Sequence, residues 1–456
     1  MMIMNPAGQP VIQLSEMQPA FQFQLQLPAL PPLIGIQSAY ADQSFTFNDN
    51  YVDDCQQSGT GANNANCDTP VTDGISIATQ TPDDPSNLYD VIVNADALNN
   101  CDEFDAGDNN VDCINDIDHI VGPVSQANNP ANDPDVTNEI DIVTDDNMLN
   151  DCTETGNGNN NAQCTNIGND VISEITQNNF PGNTIGINFV ASNTVDTLQG
   201  FDETNDCDES GDGNSDVTCT NDIDNFIGPV DQSNALIADT SNNIHNNNLE
   251  VSQIAGGTND CDESGADAGI NDAECTIQVD NSVDSVTQDN GVLGGDNAAQ
   301  TNDFSVIQTS DLNNNCDEFE DGSNVVTCGL EDLDNSLFTV DQTNDAVNSG
   351  GAGISQNNEI DGDDALGIPG ITQVLIGDNT CGQTGSGDNL AMCLIGFTDN
   401  SIASIVQVNS VSDADDQTVI SQDNGLVISQ ALDLENDCDE NTFTGSADNN
   451  AECIQF

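Results

Sequence analysis

The chain has 456 residues, 80 of them Asp or Glu and none Lys or Arg, so its formal charge of -80 has no basic counterweight except His119 and His245. Phosphate cradles, arginine forks and basic grooves all need residues that are absent, which argues against nucleotide, nucleic-acid and anionic-lipid partners. Hydrophobic residues make up 36% and aromatic residues 4%; ordinary domains are roughly 45–50% apolar, so one large aliphatic and aromatic core is not expected.

In chain order, residues 27–36 (LPALPPLIGI) form a short apolar run, and Ala39-Tyr40-Ala41 before Asp42 has the A-x-A form of a signal-peptidase site. The run is too short to cross a bilayer as a helix, so no membrane span is expected. Gln13, Gln18, Gln22, Gln24 and Gln26 stand where a secretory leader carries Lys or Arg. Residues 1–41 therefore read as a signal-peptide-like leader without its basic residues, with a Gln/Pro-rich leader as the alternative. Residues 42–54 (DQSFTFNDNYVDD) fit an N-terminal cap or a donor strand, and 55–456 form a repeat region.

Cysteines organise that region. They fall into eight pairs: Cys55/Cys67, Cys101/Cys113, Cys152/Cys164, Cys207/Cys219, Cys261/Cys275, Cys316/Cys328, Cys381/Cys393 and Cys438/Cys453. An even count in an acidic chain without lysine points to an oxidising, extracellular or cell-surface location. First cysteines recur at gaps of 46, 51, 55, 54, 55, 65 and 57, so a repeat architecture is considered before any other. Segments between partners, such as CDESGDGNSDVTC from Cys207, are rich in turn formers and read as loops. Local pairing is favoured because joining each second cysteine to the next first one strands Cys55 and Cys453. Bonds between chains are the remaining alternative.

Glutamine is the second landmark. Gln80, Gln126, Gln177, Gln232 and Gln288 lie at +13 from the second cysteine of a pair, and Gln342 and Gln407 lie at +14. Gln199, Gln253, Gln308, Gln373 and Gln430 lie at -8 from the next first cysteine. Once each stapled loop is subtracted, successive glutamines are about 22 residues apart, a spacing in the range of structural repeats. The chain reads as rungs of that length, every second rung ejecting a disulfide loop. Around the glutamines, short β-branched runs bounded by N-D, N-G and G-G signals read as strands, and few stretches support a helix. Repeated short strands of constant length predict an all-β, repetitive β-solenoid. Stacking every rung on the last gives about 14 or 15 rungs and a rod of about 70 Å at about 4.8 Å per rung.

The recurrent Q-x-N, Gln288-Asp289-Asn290-Gly291 followed by Asp296-Asn297-Ala298-Ala299-Gln300, and the rung length resemble the repeats of curlin, the subunit of secreted functional amyloid. The resemblance covers most of residues 55–456. It implies a β-solenoid with stacked Gln and Asn ladders whose subunits join end to end into extracellular fibres, with Gln232, Asn234, Gln253, Gln288, Asn290 and Gln308 as ladder residues. The stapled loops are not a curlin feature. A side-chain amide both donates and accepts, so identical amides in register satisfy one another. Fixed offsets therefore extend the ladder expectation to Gln126, Gln177, Gln199, Gln342, Gln407 and Gln430.

So acidic a rod must recruit cations. Candidate sites are the Asp-Cys-Asp-Glu clusters Asp206, Asp208 and Glu209; Asp260, Asp262 and Glu263; and Asp437, Asp439 and Glu440. A solvated acidic face is the first reading and no cofactor is expected; because hard oxygen ligands suit Ca²⁺, specific Ca²⁺ sites are the alternative. His119 and His245 lie on different repeats and read as incidental loop or surface residues. No spacing marks a zinc site or a catalytic elbow, and an enzyme is not expected. The expectation is a secreted structural protein whose partner is itself, a filament or surface-coat subunit. A monomeric acidic Ca²⁺- or ligand-binding cell-surface protein is the alternative.

Overall fold

The computed structural model describes Ile34–Gly35 and residues 43–455, apart from 56–63, 81–85, 106, 129–134, 157, 181–183, 186–188, 212, 240–241, 266–269, 295–296, 320–322, 349–352, 361–369, 386–388, 414–418 and 443–449. The leader assigned to residues 1–41 lies outside the described residues except for Ile34–Gly35, which pairs with Ile75 and Ile77.

The described secondary structure is strand throughout, in two sheets with every ladder parallel. The first sheet stacks Gln43–Asp54, Ser86–Asp105, Asp135–Gly156, Phe189–Gly211, Asn243–Gly265 and Ala298–Phe319. It continues through the pair Gly353–Ile360 and Ile371–Gly385 to Val419–Leu426 and Ile428–Thr442. The second sheet begins at Ile34–Gly35 against Ala65–Gln80 and passes through arms such as Ala162–Ile172 with Ile175–Asn179 and Ser215–Ile227 with Val230–Asp239. It ends with Thr398–Asp413 and Asn450–Gln455. The chain is an all-β solenoid whose rungs recur about 22 residues apart and are joined in pairs by disulfides.

Consecutive rungs lie face to face in one layer, not one upon the other. Phe189–Gly211 runs out along the first sheet, the Cys207–Cys219 loop turns the chain, and Ser215–Asp239 returns along the second. What stacks on a residue is its copy one repeat away: Cys152 on Cys207 on Cys261, and Gln177 on Gln232 on Gln288. The stack is therefore eight layers and about 35–40 Å long at about 4.8 Å per layer, roughly half the length expected from one layer per rung. The segment Gln43–Asp54 is the first arm of this stack, in parallel register with Tyr89–Asn100.

Period-2 alternation places the core between the sheets. In Phe189–Gly211 the inward residues are Phe189, Ala191, Asn193, Val195, Thr197, Gln199, Phe201, Glu203, Asn205, Cys207 and Glu209. Relative to the first cysteine of each pair, even offsets point inward. That one rule puts the glutamines at -8 and the cysteines on the same face. On the return arm the offset is odd because Gly228-Pro229 breaks the strand between two inward residues, Ile227 and Val230. The shift from 13 to 14 also has a local cause. Asp332 is an extra residue where Gln278 and Val279 pair with Glu331 and Leu333, and it takes a φ of 51°, a left-handed conformation that Asp tolerates better than most residues. Residues 396–397 occupy the same place one layer on.

The interior is about half apolar and half polar, and most of the polar half is amide. Valine, isoleucine and leucine columns such as Val195, Leu249 and Ile227 pack across the middle, and the disulfides form a column of their own. All eight local cystines form: Cys55–Cys67, Cys101–Cys113, Cys152–Cys164, Cys207–Cys219, Cys261–Cys275, Cys316–Cys328, Cys381–Cys393 and Cys438–Cys453. Their Cα atoms are 6.1 to 6.7 Å apart, within the range a disulfide spans.

The loop expectation for the segments between partners needs correction. Cys67, Cys113 and Cys328 do not stand at the mouths of loops: they are buried within the strands Ala65–Gln80, Val111–Val121 and Ser323–Asn348, each of which has begun before its cysteine. On the other side of the turn, the first arms run past Cys101 and Cys207 to Asp105 and Gly211. The reason is the stacking of copies. Cys67 pairs in register with Cys113, Cys113 with Cys164, and Cys328 with Cys275 and Cys393. The ladder to the neighbouring layer supplies hydrogen bonds that override the local turn preference of Asn and Asp.

Candidate functional site

The residues that define this molecule chemically are its stacked columns. In the second sheet, Gln126 donates to Gln80 at 2.8 Å, Gln177 to Gln126 at 2.9 Å, Gln232 to Gln177 at 3.0 Å and Gln288 to Gln232 at 2.8 Å. Gln342 and Gln407 continue the ladder at 2.8 Å each. The other amide hydrogen goes across the core, as in Gln232 to the Asn248 carbonyl at 2.8 Å. A second ladder in the first sheet joins Gln253 to Gln199, Gln308 to Gln253, Gln373 to Gln308 and Gln430 to Gln373 at 2.6 to 2.9 Å. A third, Gln300, Gln356 and Gln422, begins midway along the stack.

The asparagine half of the zipper is larger than the Q-x-N pattern suggests. Asn179, Asn234, Asn290 and Asn344 form a ladder at 2.9 to 3.1 Å that runs on to Asn409. It interlocks with a facing ladder of Asn138, Asn193, Asn247, Asn302 and Asn358, through contacts such as Asn234 to Asn247 at 2.9 Å. A further ladder, Asn150, Asn205, Asn259, Asn314 and Asn379, flanks the disulfides. These residues recur 14 and 2 positions before the first cysteine, with an insertion displacing Asn358. The signal is present in the sequence; it lies in even offsets from cysteine, which a count of glutamines alone passes over.

The Asp-Cys-Asp-Glu clusters are divided by the pleat. Asp206 and Asp208 flank Cys207 on the outer face, whereas Glu209 points inward and is buried; Asp260, Asp262 and Glu263 are divided in the same way. These two triads therefore do not converge on one point. Asp437 is exposed, and the side chains of Asp439 and Glu440 lie outside the described residues. Stacking makes new neighbours instead: Asp206 lies over Asp260, and Asp208 over Asp262 and Asp317. Partial burial, then the neighbouring aspartates, push Asp206 and Asp262 up to about 6.

Both histidines are core residues, against the expectation of loop or surface positions. His119 Nδ1 lies 2.9 Å from Asp146 Oδ2 and 3.2 Å from Asp170 Oδ1, all three buried. Burial opposes its charge, but the two carboxylates outweigh that and push the imidazole up to about 10. His245 occupies the column of Gln300 and packs edge-on to Phe189, 6.0 Å between centroids. Burial takes it down to about 4, so it is neutral. The signal that places them is periodicity: His119 aligns with Asp170 and Asn225, and His245 with Gln300, all inward positions.

No family model matches the chain, and neither a curated protein nor a solved structure matches it. Eight disulfides are compatible with an extracellular protein. Among the described residues no helix is long and apolar enough to cross a membrane.

Proposed function

We propose that this is a secreted structural protein, a self-assembling subunit of an extracellular filament or surface coat, which stacks end to end on copies of itself. The observation that carries the reading is that the last described layer presents the glutamine and asparagine columns that bind each layer to the next. Among the described residues no strand covers the outer edge of Thr398–Asp413 or of Val419–Leu426. Val419, Ile420, Leu426 and Leu432 are exposed there. A cleft between Thr398, Asp399 and Asn400 on one arm and Gln430, Ala431 and Leu432 on the other opens on the same end.

The ladders also have direction. Glutamines donate toward the preceding layer, as Gln430 does to Gln373; asparagines donate toward the following one, as Asn302 does to Asn358. In a head-to-tail contact Gln80 of a following copy would donate to Oε1 of Gln407, as Gln126 donates to Gln80 within the chain. At the other end Gln80 stands in the column of Gln407, whereas Phe47 stands in that of Gln430, so a head-to-tail contact, which propagates instead of closing, would continue the Gln80 ladder and pack Phe47 against the exposed end. The outer faces carry the aspartates and repel one another sideways, so growth is confined to the axis.

The test is electron microscopy with fibre diffraction on the oxidised chain at matched ionic strength, with and without Ca²⁺. Filaments with a meridional spacing of about 4.8 Å are expected, and Gln422→Glu with Gln430→Glu, which place like charges at the ladder ends, should abolish them while leaving the fold. Dispersed rods of about 40 Å under all conditions would contradict assembly and favour the monomeric acidic reading.

A further inference from the structure

The inward residue two places after each first cysteine is a carboxylate in five consecutive layers. Glu103, Glu154, Glu209, Glu263 and Glu318 stack in register and are each 0–1% exposed. Successive members are separated by one layer, about 4.8 Å. Five ionised carboxylates at that spacing inside a protein repel strongly and lose hydration that nothing in the chain replaces with positive charge, because it contains no Lys or Arg.

The surroundings are neutral. Facing the column from the return arms are Asn109, Asn160, Ser215, Asn271 and Asn324, all buried, and next to it stands the cystine column. The backbone N–H groups of Asn110 and Asn161 donate to Glu103 and Glu154 at 3.2 and 3.1 Å. The nearest charged groups on the same arms, Asp102, Asp208, Asp262 and Asp317, and on the facing arms, Asp112, Asp216 and Asp272, alternate onto the outer faces. The charged groups that act on Glu154 are Glu209 and Glu103, the members next to it in the column; His119 is engaged by Asp146 and Asp170.

The seventh layer shows what the position accepts. There the column holds Gln383, which is in register with Glu318 and donates to its Oε2 at 3.2 Å. An amide here makes a ladder bond like those of the glutamine columns. A protonated carboxyl is the nearest equivalent of that amide, with one O–H to donate and a carbonyl to accept. We propose that this column is a carboxylic-acid ladder, carrying protons at neutral pH and passing O–H hydrogen bonds from layer to layer, so that proton uptake is part of closing the stapled end of the arch. Consistent with this, burial and then Glu209 and Glu103 push Glu154 up to about 8.

Infrared difference spectra of the full oxidised chain at pH 7 test it. A protonated-carboxyl band is expected in the wild type and should fall in Glu154→Gln/Glu209→Gln/Glu263→Gln, whose midpoint of unfolding should also lose roughly half its dependence on pH between 5 and 8. The single variant Glu263→Gln should show a smaller change of the same sign, and serves if the triple variant does not fold. Equal bands in wild type and variants would overturn the proposal. So would a band that appears only after chelation together with stoichiometric Ca²⁺ in the untreated protein, which would make the column a cation row.

Discussion

Lowering the pH from 8 to 5 is expected to stabilise this protein, raising its thermal midpoint by about 10 °C. The resolved carboxylate shifts share a direction. Burial, reinforced for several by neighbouring carboxylates, raises Asp206, Asp224, Asp262 and Asp334 to about 6. Burial raises Asp146 to about 7, and Glu154 is near 8. A group whose folded pKa lies above its unfolded value holds its proton longer in the folded state, so its contribution is complete below about pH 4 and is lost as pH rises through 6 to 8. His119, held by Asp146 and Asp170, has the same sign: its contribution is present below the ordinary histidine value and lost as pH rises toward 10. His245 opposes: held neutral with a pKa near 4, it costs stability as pH falls from about 6.5 to 4. One opposing group does not outweigh the carboxylates, although solvent screens those that are half exposed. Calorimetric scans at constant ionic strength between pH 4.5 and 8 give the result; a midpoint that rises with pH would contradict the charge balance described here.

Reduction of the eight disulfides should unfold the chain at pH 8, and removal of one, Cys207→Ala with Cys219→Ala, should cost about 3 kcal/mol. Each bond joins cysteines 12 to 15 positions apart and, within one layer, ties the two sheets together at the end where the glutamate column is buried. Without the staples, that end is held by the asparagine ladder beside them and by small apolar residues such as Val111, Val217 and Val326. Urea titrations with and without reductant measure the difference, which should be larger at pH 8 than at pH 5 because an ionised column favours the opening that the staples oppose. Superimposable curves would mean that the amide ladders alone hold the arch.

Much of this architecture is legible in the residues. Cysteine spacing points to the local pairing, and constant glutamine offsets point to the rung length and most ladder members, because side-chain period and layer register both preserve sequence distance. What the spacing cannot tell is whether rung follows rung along the axis or across it. Both arrangements bring equal numbers of glutamines together, and only the partner differs: Gln232 stacks on Gln177 and Gln288, not on Gln253. Turn formers around Cys67, Cys113 and Cys328 mark the bend but overstate its length, since strand pairing with the next layer reaches past each cysteine. The pleat divides the two described acidic triads for a local reason. Adjacent residues of a strand point to opposite faces, so Asp208 and Glu209 cannot share a site however close they are in sequence. The histidines escape a single-repeat reading because a rare residue shows no repeat of its own. Their columns become visible only when neighbouring repeats are aligned.

The most direct test of the account is the identity of the layer neighbour. Spin labels attached through unnatural side chains at Ser233 and Asp289, outward residues paired in register one repeat apart, are expected to couple strongly, their Cα atoms being about 5 Å apart. Labels at Ser233 and Ser252, on the outer faces of opposite sheets, are expected to show no such coupling. Strong coupling for the second pair and weak coupling for the first would mean that consecutive rungs stack, and would contradict the two-sheet arch on which the ladders, the glutamate column and the proposed filament all depend.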